Sequence, residues 1–203
     1  MTMTRRGRPR SFDREAALVQ ATRLFWEHGY EGTSIADLTR TLGISPPSLY
    51  AAFGDKRTLF TEVVDRYGGT FGAFMGRALE EESDARAGFA RMLREAATSY
   101  TDPGHPAGCL VITAAINYSA QTADVERGLR ERRVANVHDF ERRLADAEKA
   151  GTLPEGAEPR ALAVYFAAVV QGMSQQARDG ASATELERVA ELAMSVWPVR
   201  KGA

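Results

Sequence analysis

With 203 residues, 44% of them hydrophobic, the chain can bury a real core but cannot hold two large independent domains. Its single cysteine, Cys109, excludes an intramolecular disulfide, and no apolar stretch resembling a signal peptide follows the basic N-terminus. The formal net charge of −1 is unevenly spread: residues 1–60 carry nine Lys/Arg against six Asp/Glu, and the remainder carry 17 against 21, so any polyanion-binding end is the N-terminal one.

Helical spacing dominates, with no run of alternating β-branched residues between turn signals, and the expectation is an all-α fold of about nine helices. The first runs from about Asp13, with Ala17, Leu18, Ala21, Leu24 and Phe25 on one stripe, and stops at Gly29. Ser34, three residues ahead of Asp37, opens a second helix that ends at Leu42 and Gly43. Ser45 followed by Pro46 and Pro47 announces a short third helix ending near Phe53 and Gly54, since proline's missing amide costs nothing in a first turn. Asp55 caps a fourth, expected to continue from Lys56 to about Glu82. Further helices are expected at 84–101, 107–119, 123–150, 158–179 and 183–197. The longest apolar run, Ala161 to Val170, is about half of the ~20 residues needed to cross a bilayer and reads as a buried helix. A reducing, cytoplasmic setting without a membrane partner is therefore expected.

Residues 34–53 have the spacing of a helix-turn-helix. Ile35, Leu38, Leu42, Ile44, Leu49 and Phe53 can pack against the first helix, leaving Ser45, Pro46, Pro47, Ser48, Tyr50, Ala51 and Ala52 outward. That small, uncharged, hydrogen-bonding surface suits close approach to a major groove; the competing readings are a half-buried aromatic for Tyr50 and a mere cap for Ser45. Gly32-Thr33-Ser34-Ile35, Leu42-Gly43-Ile44-Ser45, Leu49-Tyr50, Phe53 and Lys56 resemble the N-terminal domain of the TetR family of transcriptional regulators over about residues 11–62.

The resemblance implies a helix-turn-helix DNA-binding domain at 11–62, preceded by a basic arm at 1–10, and a ligand-sensing and dimerisation domain at 63–203. It implies groove and backbone contacts from Pro46, Pro47, Ser48 and Tyr50, with phosphate contacts from Ser34 and Lys56. Amide ends and cations are what phosphate positioning requires there. The chain departs from many members in having Ala51 and Ala52 where an aromatic residue and a histidine stand, which leaves base readout to fewer polar groups. In the arm, Arg6-Gly7-Arg8-Pro9 resembles an AT-hook for minor grooves; the other reading of Arg6 and Arg8 is a basic tail with salt-sensitive, sequence-independent attraction.

Gly68, Gly72 and Gly76 share one face of the expected fourth helix, although each interior glycine costs about 0.5–1 kcal/mol against alanine. Close packing against a neighbour is one reading, and a hinge between pocket and head, which the resemblance implies, is the other. The surplus of apolar and aromatic residues suggests a cavity for a small-molecule effector or electrophile, with Tyr67, Phe71, Phe74, Met92, Ile112 and Ile116 as walls and Asn117, Tyr118 and His138 as polar anchors. Cys109 opens an expected helix, whose free amides would lower its pKa and make it a thiol sensor; Gly108-Cys109-Leu110 also resembles a cysteine site of thiol-reactive repressors in the family. The alternative is a small buried apolar residue.

The eighth expected helix is apolar nearly all round and needs cover on every side. Tyr165, Phe166, Val169, Val170 and Met173, with Val189, Leu192 and Val196 of the ninth, are the expected homodimer interface, as the resemblance also implies. Two-fold pairing calls for a near-palindromic double-stranded DNA operator. An enzyme is disfavoured: His28, His105 and His138 are scattered, HExxH, CxxC and GxSxG are absent, and no metal, cofactor or catalytic group is expected. Ligand-controlled repression is the expectation; activation by the same fold and a helical protein-interaction module are the alternatives.

Overall fold

The computed structural model describes residues 13–154 and 156–197. Among them every regular element is helical: α1 Arg14–His28, α2 Ile35–Leu42, α3 Pro46–Phe53, α4 Lys56–Gly69, α5 Phe74–Glu81, α6 Ala85–Tyr100, α7 Leu110–Thr113, a 3-10 turn Ala120–Thr122, α8 Ala123–Lys149, α9 Pro159–Arg178 and α10 Ala183–Met194. None is long and apolar enough to cross a membrane. Arg6 and Arg8 of the basic arm lie outside the described residues.

The head is built from local capping chemistry. Asp13, Ser34, Ser45 and Asp55 each accept a main-chain N–H from the first turn of the helix they precede, and Gly43 takes the left-handed conformation that ends α2, at φ 65°. Leu38, Leu49 and Phe53 are buried in one apolar cluster with Leu18, Ala21 and Phe25 of α1. The core then runs without a break into the body, because Phe60 of α4 packs edge-on against Phe25 at 5.0 Å and Tyr30 at 5.1 Å. Deeper in, Trp26 meets Tyr67, Phe71 and His105. In the body α6 packs on α5 and α10, and α8 on α9, around Phe89, Phe140 and Phe166. Arg143 of α8 donates to the carbonyls of Leu79, Glu82 and Ser83, satisfying the open end of α5.

Two expected helices differ. The helix expected to reach Glu82 breaks after Gly69, and the Tyr67 carbonyl takes the N–H groups of both Thr70 and Gly72 instead of continuing the ladder. A Cβ on Gly68, Gly69 or Gly76 would have no close neighbour, so those glycines serve no close packing; only Gly72 is tight, against the Tyr67 ring. The helix expected at 107–119 shrinks to the single turn of α7. Its Ala114 carbonyl is committed to the N–H of Tyr30 in the head, at 2.7 Å, and Ser119 and Thr122 cap each other reciprocally to begin a separate turn.

Candidate nucleic-acid interface and effector cavity

The outward surface of the head is set by what α3 cannot bury. Leu49 and Phe53 face the core, whereas Ser45, Pro46, Pro47 and Ser48 are exposed and Tyr50 is 48% exposed. Tyr50 is thus a surface residue and not a core aromatic. Ser45 Oγ accepts the Ser48 N–H at 3.4 Å and lies 3.0 Å from the Ser48 hydroxyl, which starts the helix squarely at its two prolines. Ser34 and Asp37 form a complete capping box at the exposed N-terminus of α2, the Ser34 hydroxyl accepting the Asp37 N–H at 3.1 Å and donating to the Asp37 carboxylate at 2.5 Å. Behind α3, Arg14 lies 4.7 Å over the Phe53 ring and donates to the Ala52 carbonyl at 3.3 Å and to Glu62 of α4, holding the presented helix from the rear.

Lys56 is more constrained than a solvated lysine. Its Nζ lies 4.2 Å from the centroid of the Tyr30 ring, and burial lowers its pKa while the Glu31 charge works against that lowering. Neither partner was legible from the spacing around Lys56, because both come from the loop after α1. Arg40, exposed in the last turn of α2 and 3.1 Å from Asp37, is a further cation of the head that no local motif marked out.

The body holds a cleft of about 430 Å³ between the α4–α5 break and α8. Val64, Tyr67, Met75, Val111 and Phe140 supply apolar walls, Arg132, Asn136 and Asp139 of α8 supply polar groups, and Gly68, Gly72 and Gly76 leave room for the opening. A second cleft of about 420 Å³, over Phe60, Val125 and Leu129, continues it toward the head. Arg57 pairs with Asp124 at one end of that second cleft, and Arg132 pairs with Asp65.

Of the expected cavity residues, Tyr67 and Cys109 line the first cleft, and Ile112 lines a small adjoining void. The others lie elsewhere. Phe71 packs on Trp26 and His105, and Phe74 and Met92 are buried in the core. Ile116, Asn117 and Tyr118 are on the surface, Ile116 at 60% and Tyr118 at 52% exposure, because the chain leaves α7 after one turn, and His138 is on the exposed side of α8. The missed residues on α8 recur at 132, 136 and 139, a helical spacing that marks one face but not what it faces.

Cys109 is buried, and its main-chain N–H donates to Ser174 Oγ at 2.8 Å. Burial pushes its thiol pKa up, the reverse of the lowering expected from a helix start, and the Tyr67 side chain beside it offsets part of the rise. A one-turn helix has too few aligned peptides to overcome that burial.

Comparison with known proteins agrees with this architecture. Residues 17–63 match the model for bacterial regulatory proteins of the tetR family, and residues 69–193 match that for the tetracyclin repressor-like C-terminal domain. The chain belongs to the TetR family. It is 36% identical to the HTH-type transcriptional repressor ComR of Escherichia coli K12, across 95% of this chain and 92% of that one. It is 32% identical to the repressor BdcR of the same organism, across 92% and 90%. Among solved structures it resembles a cysteine mutant of the TetR family regulator CifR complexed with 26-bp double-strand operator DNA, at a TM-score of 0.90 and 38% identity, covering 95% of this chain and 100% of that one.

In this TetR-family chain the expected pairing residues divide into two sets. Phe166, Val170 and Met173 are buried in the protomer's own core, so they offer nothing to a second copy, and Tyr165 and Val169 are half-buried. Val189, Leu192 and Val196 stand on the surface, joined by Val164 of α9. The exposed side of α9 carries Val164 and Ala168 and then Gln171 and Gln175, so the helix is not apolar on every side as expected.

Proposed function

We propose that this TetR-family regulator is a repressor that binds a near-palindromic operator as a homodimer and leaves it when a small molecule occupies the body. The exposed face of α3, from Ser45 to Tyr50, carries this reading: it is a capped, small-residue helix surface beside a capped helix N-terminus and Lys56. A 38% identical relative of the same fold is bound to operator DNA. Groove entry needs such a surface for base edges and such flanks for phosphates. The apolar stripe of Val164, Val189, Leu192 and Val196 supports two-fold pairing, and a chromosomal target carries with it a cytoplasmic setting.

The cleft beside the α4–α5 break is the effector site in this reading. It combines apolar walls with a few polar groups and lies on the helix that begins at Lys56. Moving operator occupancy from 99:1 to 1:99 requires about 5.5 kcal/mol of differential effector affinity between the two states. Thiol modification is a second route, supported by the position of Cys109 in the wall of the cleft, and it requires the cleft to open first because the thiol is buried.

The test is fluorescence anisotropy of a labelled duplex from the chain's own upstream region, titrated with the protein and then with a compound library. Saturable binding that a compound reverses is the expected result. Binding no tighter than to an unrelated duplex would remove the operator reading, and operator binding that no compound or thiol reagent reverses would remove effector control.

A further inference from the structure

Residues 114–122 lie against the head, with the wall of the cleft on one side of them and α8 on the other. The N–H of Tyr30 donates to the Ala114 carbonyl at 2.7 Å, and a Cβ on Gly29 would come within 2.9 Å of that oxygen. The next residue, Glu31, accepts the N–H of Ser119 at 3.2 Å, the Ser119 hydroxyl at 3.0 Å and the Thr122 hydroxyl through the same carboxylate oxygen. Arg57, one residue beyond Lys56, donates to the Gln121 carbonyl at 3.3 Å and pairs with Asp124 at 2.9 Å. The segment therefore connects α7, whose Cys109 and Val111 line the cleft, to Tyr30, whose ring lies 4.2 Å from the Lys56 ammonium, and to Glu31 next to it in the chain.

These contacts have the properties of a reversible link. They are exposed hydrogen bonds worth about 0.5–1.5 kcal/mol each, small enough for an effector to break and numerous enough to set a position. Glu31 is also an anion near a DNA-facing surface, where a free carboxylate would repel phosphate. Bonded to Ser119 and Thr122, it is turned toward the segment.

We propose that Glu31 is a positioning residue for DNA binding: by holding Ser119 and Thr122 next to Tyr30, whose ring carries the Lys56 ammonium, it makes the phosphate contact of Lys56 depend on where the 114–122 segment lies. This rests on the reading of Lys56 as a phosphate contact. An effector that shifts α7 draws the segment away from the head, Glu31 loses its donors, and Lys56 loses its fixed place over Tyr30. Release then begins at one phosphate per half-site.

The test uses the full-length dimer and a duplex selected by it from a random pool, with affinity measured across a salt series. Glu31→Ala is expected to weaken binding about tenfold. It should also reduce the salt slope by about 1.8, two phosphates per dimer at about 0.9 each. Lys56→Gln should do the same, and the double variant should lose nothing further. Ser119→Ala with Thr122→Val should move both quantities in the same direction, at an unchanged unfolding midpoint. Should Glu31→Ala not fold, the Ser119→Ala and Thr122→Val pair, which removes the donors and leaves Glu31 in place, carries the same test with the same expected losses.

Unchanged or tighter binding by the Glu31 variant overturns the proposal. So does a loss that leaves the salt slope intact and adds to that of Lys56→Gln, since that is the behaviour of a merely structural residue. A Lys56→Gln protein with normal affinity and slope removes the phosphate assignment itself and the proposal with it, a pattern distinct from the other two.

Discussion

The guanidinium of Arg178 donates to the main-chain carbonyl of Trp26 at 3.2 Å, joining the last turn of α9 to the C-terminus of α1. The same side chain reaches the Glu27 carbonyl at 3.2 Å. Carbonyls in the last turn of a helix have no partner within it, so a cation there supplies both hydrogen bonds and favourable charge. The consequence is a direct tie from α9 to the first helix of the head. Arg178→Met is expected to lower stability by about 1 kcal/mol and to weaken operator binding by more than that loss of folded protein explains. Urea unfolding and duplex titration on the same preparation check this; wild-type affinity in a destabilised variant would show that the tie does not orient the head.

The glycines at the α4–α5 break should respond with opposite signs. Gly69→Ala meets no neighbour and gains helix propensity, so it is expected to stabilise by about 0.5–1 kcal/mol. At Gly72 a Cβ would lie 3.0 Å from the Tyr67 ring. Gly72→Ala is therefore expected to destabilise by about 1–3 kcal/mol and to alter effector response at the cleft that Tyr67 lines. Thermal unfolding of the two variants decides the signs, and equal stabilisation by both would contradict the packing described for Gly72.

Cys109 should be slow to alkylate in the native protein and should add to alkaline sensitivity. Burial raises its folded pKa above the unfolded value, so the stability it contributes is complete below the ordinary thiol range near ~8.5 and is lost as pH rises through the higher folded value. The buried phenols of Tyr67 and Tyr100, also raised by burial, extend the loss further into alkali. Cys109→Ala is expected to show a shallower fall in unfolding midpoint above about pH 8.5 than wild type. Native iodoacetamide labelling as fast as labelling in urea would contradict the burial argument.

The proposed pairing through the exposed stripe can be tested by one charge. Leu192 is 66% exposed in the protomer, so Leu192→Glu should leave the fold intact and block pairing by placing a charge in the interface. A monomer with native helical content and lost operator binding is the expected result by light scattering and anisotropy. A variant that remains dimeric would move the interface elsewhere.

The head was legible in the sequence because its signals are local. Ser34, Gly43, Ser45 and Pro46 each act within four residues of themselves, and their positions translate directly into helix ends. The surroundings of Lys56 were not legible, since Tyr30 and Glu31 reach it through tertiary packing. The helix expected at 107–119 failed for the same reason: helical residues from Ala114 onward lost to a hydrogen bond with the head. Along Ala161 to Val170 of α9, apolar residues on every side carry no periodic signal, so nothing in that stretch separates Phe166 in the core from Val164 on the surface. The glycines around the α4–α5 break marked the place of a discontinuity, but its consequence, an open cleft beside Tyr67, depends on what α8 brings opposite.

Selection of duplexes from a random pool, repeated with Tyr50→Ala, tests the central claim most directly. Wild type is expected to enrich a near-palindrome occupied by two chains, with half-site centres about 34 Å apart or a multiple of that. Tyr50→Ala should relax the preferred sequence or cost about 1–3 kcal/mol per contacted base pair. Enrichment of no near-palindrome, or an identical sequence and affinity with Tyr50→Ala, would contradict it.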